Sequence, residues 1–209
     1  MNLNISVFRE PRGVMRILHF VFSICAFATI AGYTGYVTFK CDGNTDTIKK
    51  DFEYPFQLII PASEIRLPKN CTSSIIGDFS SDAKFFVATG ILAMLYSITI
   101  SVVYIKFDEM YKSNNQFPLI DFVITVIFGV LWLSSSAAWA NGLSGLKYAT
   151  EPQIIGSECH CMTFTSNFST LNISIFGFLN FFLWAADLWF LYKETAWFQG
   201  NQPQTNSGV

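Results

Sequence analysis

Few residues in this chain have the type and spacing for chemistry. There are two histidines, His19 and His160, and five cysteines, Cys25, Cys41, Cys71, Cys159 and Cys161. Cys159-His160-Cys161 has metal-ligating side chains, but three close ligands without a fourth fall short of a tetrahedral site. No P-loop, dinucleotide-binding glycine pattern or metalloprotease histidine pair occurs. No catalytic, cofactor-binding or metal residue is therefore assigned, no cofactor is expected, and neither is an enzyme. What remains is disulfide and glycan chemistry. Cys41 with Cys71 are the best disulfide candidates, and closing a loop of that length stabilises by about 3 to 4 kcal/mol in the chain-entropy model. Cys159 with Cys161 is the strained alternative, because one intervening residue fits disulfide geometry poorly. The sequons are Asn70-Cys71-Thr72, Asn167-Phe168-Ser169, Asn172-Ile173-Ser174 and Asn4-Ile5-Ser6.

The elements that position these residues are apolar runs. Of 209 residues, 51% are hydrophobic and 13% charged, about half the charged share of an ordinary soluble domain. A net charge of -2 gives no reason to expect nucleic acid as a partner. A membrane-spanning helix needs about 20 apolar residues, and four stretches qualify, at about 17–37, 85–105, 117–140 and 171–192. Only helices or closed barrels satisfy backbone groups in lipid, and these runs lack strand alternation. The fold class expected is an all-α membrane protein, a four-helix transmembrane bundle.

Residues 1–16 read as a cytosolic N-terminus, because Arg9, Arg12 and Arg16 precede the first run. Ala26-Phe27-Ala28 resembles a signal-peptide cleavage site. The run continues to Val37, which suits a retained span. Cys25 within it reads as a small buried hydrophobe. Four spans then put both termini in the cytosol and loops 38–84 and 141–170 in the lumen. That side suits the cysteines and sequons. Alternation through Phe52, Tyr54, Phe56, Leu58 and Ile60 gives the first loop room for a strand, limited by Pro55 and Pro61 to an edge or short hairpin. Residues 193–209 form a short tail.

Within the third span, Gly129, Trp132, Ser136 and Trp139 share one face, read as a helix-contact face for self-association or a partner. In the fourth span, Asn180, Trp184 and Asp187 share a face. Asn180 and Asp187 are its intramembrane polar groups. Asp187 reads as a structural group near the helix end rather than as a transport carboxylate. Val102, Tyr104 and Lys106 match a proposed cholesterol-contact pattern.

Several motifs together resemble the synaptophysin family of vesicle membrane proteins. Arg9-Glu10-Pro11-Arg12-Gly13 and Phe27-Ala28-Thr29 lie in and before the first span. Phe52-Glu53-Tyr54-Pro55-Phe56-Gln57-Leu58 and Gly77-Asp78-Phe79-Ser80-Ser81 lie in the first loop. Trp132 to Ser144, Phe176-Gly177-Phe178-Leu179-Asn180 and Trp189 to Thr195 complete the set. The resemblance covers Arg9 to Trp197. It implies a MARVEL-type bundle over 17–192, disulfides within each loop, a glycan at Asn70, and association with cholesterol. It further implies a role on transport or synaptic vesicles, organising membrane and partners such as synaptobrevin in trafficking and exocytosis, and a homo-oligomer. Three features depart from it. The tail is short, the second-loop cysteines are unusually close, and Asp187 stands where relatives tend to be uncharged. The rival reading is a pore or transporter subunit made by oligomerising the bundle. The sparse charge within the spans argues against that reading. A claudin-type adhesion protein would carry a Trp in the first loop, and none occurs there.

Overall fold

The computed structural model describes residues 5–41, 48–61, 75–113, 116–150, 161–165 and 174–195. A short 3-10 turn, Ile5–Arg9, leads into α1, Pro11–Ala31. The strands β1 (Thr34–Cys41), β2 (Ile48–Glu53), β3 (Gln57–Ile60) and β4 (Ile75–Asp78) follow. Then come α2 (Ser80–Lys106), the short α3 (Asp108–Ser113) and α4 (Gln116–Ala149). β5 (Cys161–Thr165) and α5 (Ser174–Glu194) complete the chain order. Four helices, α1, α2, α4 and α5, are long and apolar enough to cross a membrane.

The first helix lies nearer the N-terminus than the 17–37 run suggests. Pro11 occupies its first turn, where a missing N–H costs nothing and φ is already helical. The helix stops at Ala31 and Gly32 caps it. Thr34 to Cys41 is rich in β-branched and aromatic residues, and it is a strand rather than the end of a span. The α2 start is fixed by Asp78, whose carboxylate accepts the Ser80 backbone N–H at 2.9 Å. The Ser80 hydroxyl, then this N–H, hold the exposed Asp78 carboxyl below its usual value. α4 has 34 residues, so at 1.5 Å per residue it is about 51 Å long. It overshoots a hydrocarbon core of about 30 Å and runs nine residues past the expected end at Ala140. The charge-free run at 85–105 likewise gains a full turn at its start, from Ser80.

The helices close a ring in the order α1, α2, α4, α5 and back to α1. α1 and α5 leave the bundle at one end, here called the termini end, where α3 links α2 to α4. The strands lie at the other, the sheet end. They form an antiparallel sheet in the order β2-β1-β5 and a separate antiparallel pair β3-β4. The alternating run from Phe52 to Ile60 is thus two strands in two sheets. Pro55, preceded by a cis peptide bond, interrupts it, and Phe56 has φ 68°. The phase of the alternation still holds: Phe52, Phe56, Leu58 and Ile60 are buried. They join Tyr33, Trp139, Leu143 and Leu146 in one core continuous with the bundle. Phe56 lies 5.2 Å from the Trp139 ring.

Candidate functional site

At the termini end, the bundle core is charged. Arg12, Arg16, His19 and Ser23 follow one another at spacings of four, three and four, and so share one face of α1. All four are buried. That face turns inward because each neighbouring helix supplies a polar partner at the same level.

Arg16 is the hub, with no exposed surface. Its Nη2 lies 2.7 Å from Asp121 Oδ1 on α4 and donates to Thr125 Oγ1 at 3.2 Å. Its Nη1 lies 3.0 Å from Asp187 Oδ2 on α5. The guanidinium sits over the Tyr96 and Trp184 rings at 5.6 and 5.7 Å. Asp121 is saturated from a second direction. Tyr96 donates to its Oδ1 at 2.6 Å, Tyr111 donates to its Oδ2 at 3.2 Å, and Tyr104 makes a further short bond to Oδ2. His19 stacks on Trp184 with centroids 4.0 Å apart and planes 9° from parallel. Its Nδ1 lies 3.4 Å from Arg16 Nη1 and 3.9 Å from Asp187 Oδ2.

A second layer lies one turn nearer the end. Arg12 pairs with Glu10 at 2.7 Å and with Asp108 of α3 at 3.1 Å. Its guanidinium also lies over Tyr104 and Tyr111, at 5.1 and 5.0 Å. The two arginines therefore join all five helices. In hydrocarbon, such groups are retained only when they pair with one another. Among the described residues no group of three metal-ligating side chains occurs. What the geometry can do is fix the register and spacing of helices, and hold charge or protons inside the bundle.

The sequence misplaces several of these groups. Arg12 and Arg16, read as a cytosolic flank, are inside α1, and only Arg9 of the three is exposed. His19, assigned no role from the sequence, is in the core. Asp121, near the start of its span, is 1% exposed and central. The periodic 12–16–19–23 spacing was the available signal. It was obscured because charge next to an apolar run reads as a water-facing flank.

The other predicted residues fall as follows. Asp187 and Asn180 are buried with Trp184 on one face of α5. Asp187 meets Arg16 within the bundle. Asn180 Nδ2 donates to the carbonyls of Phe176 at 2.8 Å and Phe22 at 3.2 Å, tying α5 to α1. Gly129, Trp132, Ser136 and Trp139 are buried against this chain's own elements, so the face is not a free docking surface. Trp132 packs edge-on against Phe86, and Trp139 meets Phe56 with the ring planes tilted by 42°. Gly129 makes no close approach, since an added Cβ would meet nothing within 4 Å. The tight contact is across from it, where a Cβ on Gly177 would overlap Ser136 Oγ and lie 2.6 Å from Phe86. Tyr104 points inward to Asp121 while Val102 and Lys106 are exposed, so the three do not form one outward sterol surface. The cause is that residues two apart lie on opposite sides of a helix. Cys25, read as buried, is a free cysteine on the outer face of α1. The β1–β5 register sets the Cys41 backbone opposite that of Cys161. Cys71, Cys159, Asn70 and Asn167 lie outside the described residues.

A model of the MARVEL family, described as a membrane-associating domain, matches residues 7–190. That span runs from the 3-10 turn almost to the end of α5, and the chain belongs to this family.

Proposed function

From membership in this membrane-associating family, we propose that the chain is a non-enzymatic, multi-pass component of transport or synaptic vesicles. Its work there is to organise vesicle membrane and partner proteins during trafficking and exocytosis. One observation carries the reading. The charged groups of the core are turned inward onto one another, while the outer faces of the spans are apolar. Ile91, Leu92, Leu95 and Ile98 on α2, Val123, Ile127 and Val130 on α4, and Phe182 and Trp189 on α5 are all exposed. Such a bundle offers lipid and other membrane proteins a shaped apolar surface. It spends its polarity on holding that shape.

The same observation weighs against a pore. Arg16, Asp121 and Asp187 are engaged across helices, and Trp184 stacks on His19 with Phe128 4.7 Å behind it. Homo-oligomers and synaptobrevin-type partners would meet the outer faces, since the Gly129–Trp139 face is occupied. Cholesterol would likewise meet outward side chains such as Val102, without Tyr104. Four spans return the chain to its starting side, so the termini share one side, and in this reading that side is the cytosol.

The test is location and sidedness. A tagged full chain should co-purify with vesicle markers rather than plasma-membrane markers. Protease on sealed vesicles should remove terminal tags and spare a tag between Lys40 and Lys84. Steady residence at the plasma membrane, or loss of the loop tag without permeabilisation, would overturn the assignment.

A further inference from the structure

We propose that the buried cluster is a proton-binding site, in which His19 and Asp187 hold one exchangeable proton between them. The proposal does not depend on the vesicle assignment. It starts from a count of charges. Among the described residues of the inner layer there is one fixed cation, Arg16, and it touches two carboxylates, at 2.7 and 3.0 Å. The remaining titratable groups are one imidazole, His19, and the phenols Tyr96 and Tyr104 of α2 and Tyr111 of α3. With neutral imidazole and phenols the layer carries one net negative charge. The next cation outward, Arg12, is already engaged by Glu10 and Asp108. Lys193 on α5 is exposed and has its Nζ 5.0 Å from the Trp189 ring. An uncompensated charge in so dry a site is strongly disfavoured, and one proton removes it.

The geometry says which groups share that proton. Asp121 accepts from Arg16 and from three phenols, a donor set that fits a carboxylate and leaves no role for a proton of its own. Asp187 instead meets both groups at one oxygen: Oδ2 lies 3.0 Å from Arg16 Nη1 and 3.9 Å from His19 Nδ1, and those two nitrogens are 3.4 Å apart. The 3.9 Å from Nδ1 to Oδ2 exceeds hydrogen-bond length. The proton therefore has two distinct resting places, a neutral Asp187 carboxyl or a His19 imidazolium. Both leave the layer uncharged. Stacking on Trp184 holds the imidazole plane, with Nδ1 beside both Asp187 Oδ2 and Arg16 Nη1. Exchange would come from the termini end, where Glu10 is 40% exposed beside Arg12.

The experiment uses the full chain, solubilised and folded, in a His160→Gln background so that His19 is the sole imidazole. Infrared spectra at neutral pH report a protonated carboxyl, and nitrogen NMR of labelled histidine reports an imidazolium. The expected result is one of the two signals, the carboxyl band vanishing in Asp187→Asn or the imidazolium vanishing in His19→Gln. A folded parent protein with neither signal overturns the proposal, and that reading needs no variant to fold. A second readout is the pH dependence of melting. The folded state binds a proton that the unfolded chain does not, so stability falls as pH rises and the proton is lost. Asp187→Asn should flatten that slope, because asparagine cannot carry the charge. An unchanged slope in Asp187→Asn would remove Asp187 from the site.

Discussion

Both ends of the bundle hold buried residues, packed by different chemistry. At the sheet end, aromatic rings meet one another. Tyr33 lies 6.3 Å from both Phe52 and Phe56, and Phe86 meets Trp132 at 5.5 Å. At the termini end, Arg16, Asp121 and Asp187 meet with three phenols around them. Ring contacts are broad and forgiving, so losses there are graded with the area removed. Charge contacts depend on every member, because deleting one leaves the others buried and unpaired. The sheet end therefore supplies bulk stability, and the termini end decides which helices sit together and in what register.

The harshest test of this contrast is Arg16→Met. It keeps length and removes the hub, stranding two carboxylates, and a loss of about 3–5 kcal/mol is expected. Thermal unfolding of the solubilised chain would measure it. Adding Asp121→Asn and Asp187→Asn to the same chain should restore much of the loss, because no buried charge is then left unpaired. If the single variant is no worse than a conservative ring change such as Phe86→Leu, the two ends do not differ in kind.

Tyr104→Phe comes next, and it asks how redundant the donors are. It removes one hydrogen bond to a carboxylate, worth about 1.5–3 kcal/mol when charge is involved. Tyr96, Tyr111 and Arg16 remain on Asp121, so the lower part of that range is expected. A loss as large as that of Arg16→Met would mean the cluster behaves as one indivisible unit.

Gly177→Ala probes the packed half by adding rather than removing atoms. The new methyl would overlap Ser136 Oγ and press on Phe86, and overpacking of this kind costs about 1–3 kcal/mol. Gly129→Ala is the control, with open space around its added carbon and a smaller effect on melting. Equal effects would show that α4 and α5 are not in close contact at Ser136.

How much of this was legible in the sequence follows from the range of the forces involved. The four spans are local properties, set by unbroken apolar runs, and their number is plain. Their ends are less so. Thr34 to Val37 carries no charge, so the apolar run continues through it, and only Gly32 and the β-branched residues after it mark the change. The charge cluster is a long-range property. Arg16 and Asp121 are 105 residues apart. Each alone looks like a residue that should be in water, and only their meeting makes burial tolerable. The same holds for Tyr104, which fits a sterol-contact pattern with Val102 and Lys106 but faces Asp121. A face such as Gly129–Trp139 is legible as a contact face. Whether the contact is with this chain or another is not, because small residues suit both.

The smallest expected effect lies where the two regions join, at the start of α2. Asp78 ends β4, and its side chain accepts the N–H of Ser80, the first residue of α2, with Gln57 Nε2 of β3 at 3.3 Å from its other oxygen. It thus links a sheet-end strand to a spanning helix through an exposed carboxylate. Its folded value is lowered, first by the Ser80 hydroxyl and then by the Ser80 N–H. A lowered value means that its contribution is fully present above the ordinary aspartate range, near 4, and is lost as pH falls through the folded value. Stability of the folded chain should therefore fall on the acid side, and part of that fall belongs to Asp78. Asp78→Asn keeps an acceptor for the N–H and removes the charge, so melting should vary less between pH 5 and pH 3, about the range of carboxyl titration. Asp78→Ala removes the acceptor as well and should lower melting slightly at neutral pH too, because the first N–H of α2 then loses this partner. If Asp78→Asn leaves the acid slope of the parent unchanged, the link is geometric and its charge is immaterial. The charge sensitivity of the fold would then be confined to the termini end.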